Sequence, residues 1–311
     1  MSATLLAVLA ALGAALSYAS GAVFQQRAAL PPVITGVGAS RAAPPLRKVV
    51  RHPLWLFGVG LDGVGFLLEF AALRVGSVSL VQPLLVSGLL FALPLGATLT
   101  GQRIRGRDLA AGALVCVGLA VALLAARPGP GTGPAAGGAW LAGSAATGLV
   151  VGGLMYTARG RRPATRAVCF AASAGLVNGL FAGFAKAVGV RSEAGWTSVV
   201  VSWPLWALIV AAVLTLTLAA EAFRAGAPAA AVGALFAVEP VAGVSVGATL
   251  FGETVSRAPV AVVLEVAGVI ACLLGVLLLS RSPAVVATYA GADTVGDHPA
   301  GTDVGAHTVL S

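Results

Sequence analysis

The sequence predicts an all-α integral membrane protein of about nine transmembrane helices with an inverted internal repeat. Three observations carry that expectation. Of 311 residues, 58% are hydrophobic and only 10% charged, with a mean hydropathy of +0.97, and a soluble surface cannot be assembled from that composition. Apolar windows of about 20 residues, the length that crosses a hydrocarbon core of about 30 Å, can be drawn nine times. Finally, Ala72-Leu73-Arg74-Val75-Gly76 and the later Gly96-Ala97-Thr98-Leu99-Thr100-Gly101-Gln102 recur as Ala222-Phe223-Arg224-Ala225-Gly226 and Gly247-Ala248-Thr249-Leu250-Phe251-Gly252-Glu253. A further apolar stretch follows each copy, and Gly118, Leu123 and Leu124 match Gly268, Leu273 and Leu274 after a one-residue gap. With five crossings between the copies, the two blocks run in opposite directions across the bilayer.

The first span covers 3 to 24. No basic segment precedes its apolar run and the chain beyond it is membrane-embedded throughout, so it reads as a helix rather than a signal peptide. Residues 28 to 52 are too polar and Pro-rich for a regular span and long for a bare loop. A broken helix there would raise the count to ten and put the N-terminus inside. Spans two to four run over 54 to 73, 78 to 99 and 109 to 126, closing a first half of residues 1 to 126. A Pro/Gly linker, 127 to 138, then leads to spans at 139 to 157, 167 to 189, 199 to 220, 228 to 251 and 260 to 280, the second half of 139 to 281. The remaining 282 to 311 lack a long apolar stripe and are expected to form a disordered cytoplasmic tail.

Charge sets the expected orientation. Alternate loops hold 14 of the 19 basic residues, from Arg27 through Arg103, Arg159 and Arg224 to Arg281, while the opposite side keeps Arg74, Arg127, Lys186, Arg191 and Arg257. The positive-inside rule makes this a multi-pass cell-membrane protein with its N-terminus outside and its C-terminus cytoplasmic. Trp55, Trp140, Trp196 and Trp203 fall near span ends, as interfacial anchors do. The basic residues thus read as topology signals, and no nucleic-acid partner is expected. Cys116, Cys169 and Cys272 lie inside apolar spans, read as small lipid- or helix-facing residues, and His52, His298 and His307 are in loops or the tail. Neither a disulfide framework nor a zinc or serine-hydrolase motif is present, so no enzyme and no cofactor are expected.

Chemistry is sought among polar groups that lipid cannot solvate, since an aspartate at the bilayer centre costs about 2.5 to 3.5 kcal/mol and faces a bundle interior or a wet cavity. Asp62, Asn178 and Glu239 lie near the middles of spans two, six and eight, at similar depth and from both halves. Glu69 follows Asp62 by seven residues, two turns or about 10 Å along the same face. Each has a bland alternative. Glu239 precedes Pro240 and could cap backbone groups that the proline frees; Asn178 could be interhelical glue; Glu69 could simply be solvated. Gln82-Pro83 opens span three either as a kink or as a substrate-facing break. Glu221, Glu253 and Glu265 rank lower. Glu253 closes the second repeat block where Gln102 closes the first, a structural position, and Lys186 is expected to snorkel to the outer surface.

Glu239-Pro240-Val241, Gly247 and Gly252-Glu253 resemble the penultimate-helix signature of the EamA repeat in the drug/metabolite transporter superfamily. Between Trp55 and Leu84 the chain also resembles the NIPA-type magnesium transporters, nine-span proteins of that superfamily, through Phe70-Ala71-Ala72 and Leu80-Val81-Gln82-Pro83-Leu84. That family's Gly-Glu falls on Gly65-Phe66 here, with Asp62 a turn before it and Glu69 a turn after. The resemblance implies a secondary transporter that works by alternating access, for which inverted repeats around a midplane site are a common construction. A small-molecule or ion substrate, the lipid bilayer and a homodimer are the partners left open. Two transport readings stand: a small solute coupled through Asp62 or Glu239, or a magnesium permease gathering Asp62, Glu69 and Glu239 around a hydrated ion.

Overall fold

The computed structural model describes residues 3–29, 51–100, 104–129, 131–193, 195–283 and 285–286. Among these the chain is helical: α1 Ala3–Ala29, α2 Pro53–Val75, α3 Val78–Leu85, α4 Gly88–Thr100, α5 Gly106–Ala126, α6 Gly137–Ala158, α7 Pro163–Ser192, α8 Trp196–Val200, α9 Trp203–Arg224, α10 Pro228–Leu250 and α11 Pro259–Leu279. With α3 and α4 taken as one broken span, nine segments among the described residues are long and apolar enough to cross a membrane. Large apolar side chains such as Leu149, Leu216 and Val260 point outward from them. This is the surface of a multi-pass membrane protein, which meets lipid instead of water.

Proline marks where many of these helices begin. Pro53, Pro163, Pro204, Pro228 and Pro259 each occupy the first or second helical position, where the missing N–H would have had no partner. Inside span three the same residue does the opposite. Pro83 ends α3 two residues later, and the chain turns through Val86 and Ser87 before α4 resumes; Ser87 donates from both its backbone N and its Oγ to the carbonyl of Leu84 across the break.

The helices assemble through small residues. α1 lies along α2, α7 along α9 and α10, α5 along α11, and α3 crosses α10. At three of these seams, α1–α2, α5–α11 and α7–α10, a glycine lets two backbones touch: a Cβ on Gly58 would stand 2.8 Å from Gly21 O, one on Gly118 2.4 Å from Cys272 N, and one on Gly179 2.8 Å from Ala242 C. On α7 the run Gly175, Gly179, Gly183 repeats every four residues along the face that carries α10, the small-residue stripe by which membrane helices pack without a hydrophobic driving force. The sequence analysis did not single it out.

Several expectations are corrected. Trp140 is not an interfacial anchor: it is 3% exposed, stacked 5.1 Å from Phe184 and edge-on to Trp203 and Phe251. Nor does the tail begin disordered, because Val285 packs into the cluster of Val86, Leu89, Val115 and Val276 and Val286 N bonds to Ser282 O. The linker is pinned, with Gly129 N donating to Thr254 O and Ala135 N to Leu250 O. Residues 30–50, where a tenth span was considered, lie outside the described residues, as do Gly101, Gln102, most of the tail and the side chain of Trp196.

Candidate functional site

A cavity of about 940 Å³ opens between the helices, walled by α1, α2, α7, α9 and α10 with Leu85 of α3 and Gly88 of α4. On α2 it is met by Trp55, Val59, Asp62, Phe66 and Glu69, a stripe whose three- and four-residue steps keep one helical face and span about 21 Å at 1.5 Å per residue. Asn178 of α7, Thr215 of α9, Glu239 of α10 and Tyr18 and Gln25 of α1 complete the polar lining, with Phe181 of α7 beside them.

Each carboxylate in the wall is held by a neutral donor. Tyr18 Oη donates to Glu69 Oε2 at 2.8 Å and Gln82 Nε2 to Glu69 Oε1 at 2.9 Å. Gln25 Nε2 donates to Asp62 Oδ2, and Asn178 Nδ2 to Glu239 Oε1 at 2.7 Å. Glu69 is 3% exposed with both oxygens engaged. Asp62 and Glu239 each spend one oxygen and keep the other without a protein hydrogen bond; Asp62 Oδ1 rests against α1, where a Cβ on Gly21 would stand 2.3 Å from it. No Lys, Arg or His is found among the described residues of the wall.

Four of the five residues singled out from sequence, Asp62, Glu69, Asn178 and Glu239, line this one cavity. Gln82 is fully buried beneath Glu69, its stem pressed on α10, where a Cβ on Gly243 would stand 2.5 Å from Gln82 Cγ. Its Oε1 has no partner. Tyr18 and Gln25 were missed, although a signal existed. They are seven residues apart, as Asp62 and Glu69 are, and α1 and α2 run antiparallel, so the two spacings make two rungs: 18 with 69 and 25 with 62. Among the described residues no three His, Cys, Asp or Glu side chains gather closely enough to hold a metal ion, and Asp62 and Glu69 are tied to different donors.

A second polar centre closes one end of the bundle. Glu253 Oε1 accepts from Val78 N at 2.7 Å and Lys186 Nζ at 2.6 Å, while Oε2 accepts from Ser79 N at 2.9 Å and Ser79 Oγ at 2.7 Å. The carboxylate therefore caps α3 from 174 residues away, supplying what Ser77 does not and meeting the positive end of the helix. Lys186 also donates to Gly76 O at 3.1 Å and lies 5.0 Å from the Phe251 ring. The expectation that Lys186 snorkels outward is overturned: with an anion and a carbonyl at hand its side chain stays 12% exposed. Gly252 turns the chain at φ 62° to bring Glu253 in. Gly247 leaves room below it, since a Cβ there would stand 2.2 Å from Glu253 Oε2. Gly247, Gly252 and Glu253 of the second repeat block thus form one structural device.

No family model matches the sequence, and no solved structure matches it. The chain is 30% identical over 254 residues to the uncharacterised protein Cgl0250/cg0304 of Corynebacterium glutamicum, covering 81% of this chain and 87% of that one. The chain therefore belongs to the family of that Corynebacterium glutamicum protein, Cgl0250/cg0304.

Proposed function

We propose that this protein is a secondary transporter of the drug/metabolite transporter type, moving a small solute by alternating access through the carboxylate-lined cavity. One observation carries the reading: acidic and amide side chains from both halves, Asp62 and Glu69 with Asn178 and Glu239, line a single cavity at membrane depth, where ionisable groups are costly and mark substrate or ion paths. The inverted repeat belongs to the same proposal. In its support, Gly118 and Gly268, matched by the sequence repeat, face one another across the α5–α11 seam, as matched residues beside a two-fold axis in the membrane plane would.

The Glu253–Lys186 clasp would be the closed gate of this state. It joins α3 of the first half to α7 and the end of α10 in the second, so separating the halves on that side requires breaking it. The loops at the opposite end hold most of the basic residues, which makes that end cytoplasmic and the clasp extracellular by the positive-inside rule. Asp62 and Glu239, each with one unengaged oxygen, would exchange a proton for cargo as the protein cycles.

A second reading is favoured by the lack of a basic side chain in the described wall. Three carboxylates around so large a cavity also suit a hydrated Mg²⁺, which dehydrates reluctantly and is held through its waters, as the resemblance to NIPA-type proteins implies. Purified protein in liposomes separates the two. Solute uptake driven by a proton gradient and lost in Asp62→Asn and Glu239→Gln supports the first reading; Mg²⁺ uptake without a gradient or organic solute, lost in the same variants, supports the second. Full activity in both variants would remove the cavity from the path.

A further inference from the structure

We infer that the cargo is an amphipathic organic cation, its charged head held at Asp62 and Glu239 and its apolar body lying in the slot between α2 and α9 that faces the bilayer. This rests on the transport reading and adds the substrate class. Charge points to a cation: the described wall offers carboxylates and amide groups but no positive side chain, and Asp62 and Glu239 each present an oxygen that no protein donor takes. Aromatic rings stand beside them. Tyr18, Trp55, Phe66 and Phe181 line the same space, with Phe66 and Phe181 5.8 Å apart, and ring faces attract organic ammonium groups in desolvated sites.

Shape points to an apolar body. About 940 Å³ is the volume of a drug-sized ligand site and far more than an ion occupies. The outer rim is built from Val59 and Gly63 of α2 and Ile209 and Leu216 of α9. Leu216 is 70% and Ile209 46% exposed on the membrane-facing surface, and α2 and α9 are not among the closely packed helix pairs. A wholly polar solute would lose water against these walls and gain nothing. A hydrocarbon chain passes from cavity to lipid without meeting an unsatisfied polar group.

The test is equilibrium binding of alkyltrimethylammonium ions, from tetramethyl to decyl, to the full-length protein in detergent, with protein-free micelles subtracted and neutral alkyl alcohols of equal length as controls. Affinity is expected to rise about fourfold per methylene until the slot is filled, with the alcohols about tenfold weaker or worse. Glu239→Gln should weaken every cation alike. Gly63→Trp, at a position where a Cβ meets nothing within 4 Å, should remove the advantage of long chains, weakening the decyl ion far more than tetramethylammonium. Affinity independent of chain length, equal binding of the alcohols, or an unaltered series in Gly63→Trp would each overturn the inference. Uptake of a short polar solute or Mg²⁺ dependent on Asp62, without tail-dependent binding, would sink the inference and leave the transport reading standing. Tail-dependent binding with no movement across liposomes would keep the site and sink transport.

Discussion

Lys186 and Glu253 stand 2.6 Å apart with their side chains 12% and 0% exposed, and the carboxylate also takes two N–H groups and a hydroxyl from Val78 and Ser79. Breaking such a pair from one side leaves a buried charge and costs about 3 to 5 kcal/mol. Glu253→Gln should therefore lower the thermal midpoint of detergent-purified protein strongly, and adding Lys186→Met should restore most of the loss. Equal midpoints for wild type and Glu253→Gln would show that the pair holds nothing together. Gly247→Ala should act through the same centre, forcing the Glu253 carboxylate aside at about 1 to 3 kcal/mol, read in the same melt. At this scale the sequence was informative for charges in apolar runs, because lipid gives a carboxylate no partner and so Asp62, Glu69 and Glu239 announce themselves. It was informative for only two of their four donors, Asn178 and Gln82. Tyr18 and Gln25 are neutral and unremarkable in a span, and only the antiparallel pairing of α1 with α2 gives them meaning. Lys186 misled for a related reason: a lysine near a span end snorkels unless a distant residue supplies an anion, and Glu253 is 67 residues away.

The nine spans were legible because each is a window of apolar residues bounded by proline, glycine or basic loops, and that pattern depends on nothing beyond its own stretch of chain. What joins the helices was less visible. Gly118 and Gly268 appeared as a matched pair in the repeat, yet their contact across α5 and α11 is a tertiary fact. Gly118→Leu should drive these helices apart and abolish a monodisperse peak in size-exclusion chromatography. By contrast, Gly152→Ala on lipid-facing α6, where a Cβ meets nothing within 4 Å, should be neutral or stabilise by up to about 1 kcal/mol. Comparable losses in both would mean that glycine content, and not close packing, is what the fold requires. The break between α3 and α4 was foreseen only as one of two options at Gln82-Pro83. Which option held depended on Gln82 reaching Glu69 and on Gly243 making room for it, neither of which local sequence contains.

Over the whole molecule the proposed transport gives the two polar centres different parts. The cavity holds unengaged carboxylate oxygens with no basic side chain among its described residues, and the clasp ties the two halves together at one end. For alternating access the cavity must be reachable from each membrane face in turn, and the clasp must open for one of them. The most direct measurement is labelling of a single cysteine at Ala212, in the cavity wall on α9, after Cys116, Cys169 and Cys272 are replaced by alanine. A membrane-impermeant maleimide is applied to sealed vesicles of each orientation. The account predicts modification from both faces in the wild-type background, with Glu253→Gln accelerating it from the clasp face alone. Modification confined to one face in both backgrounds, however long the exposure, would contradict it.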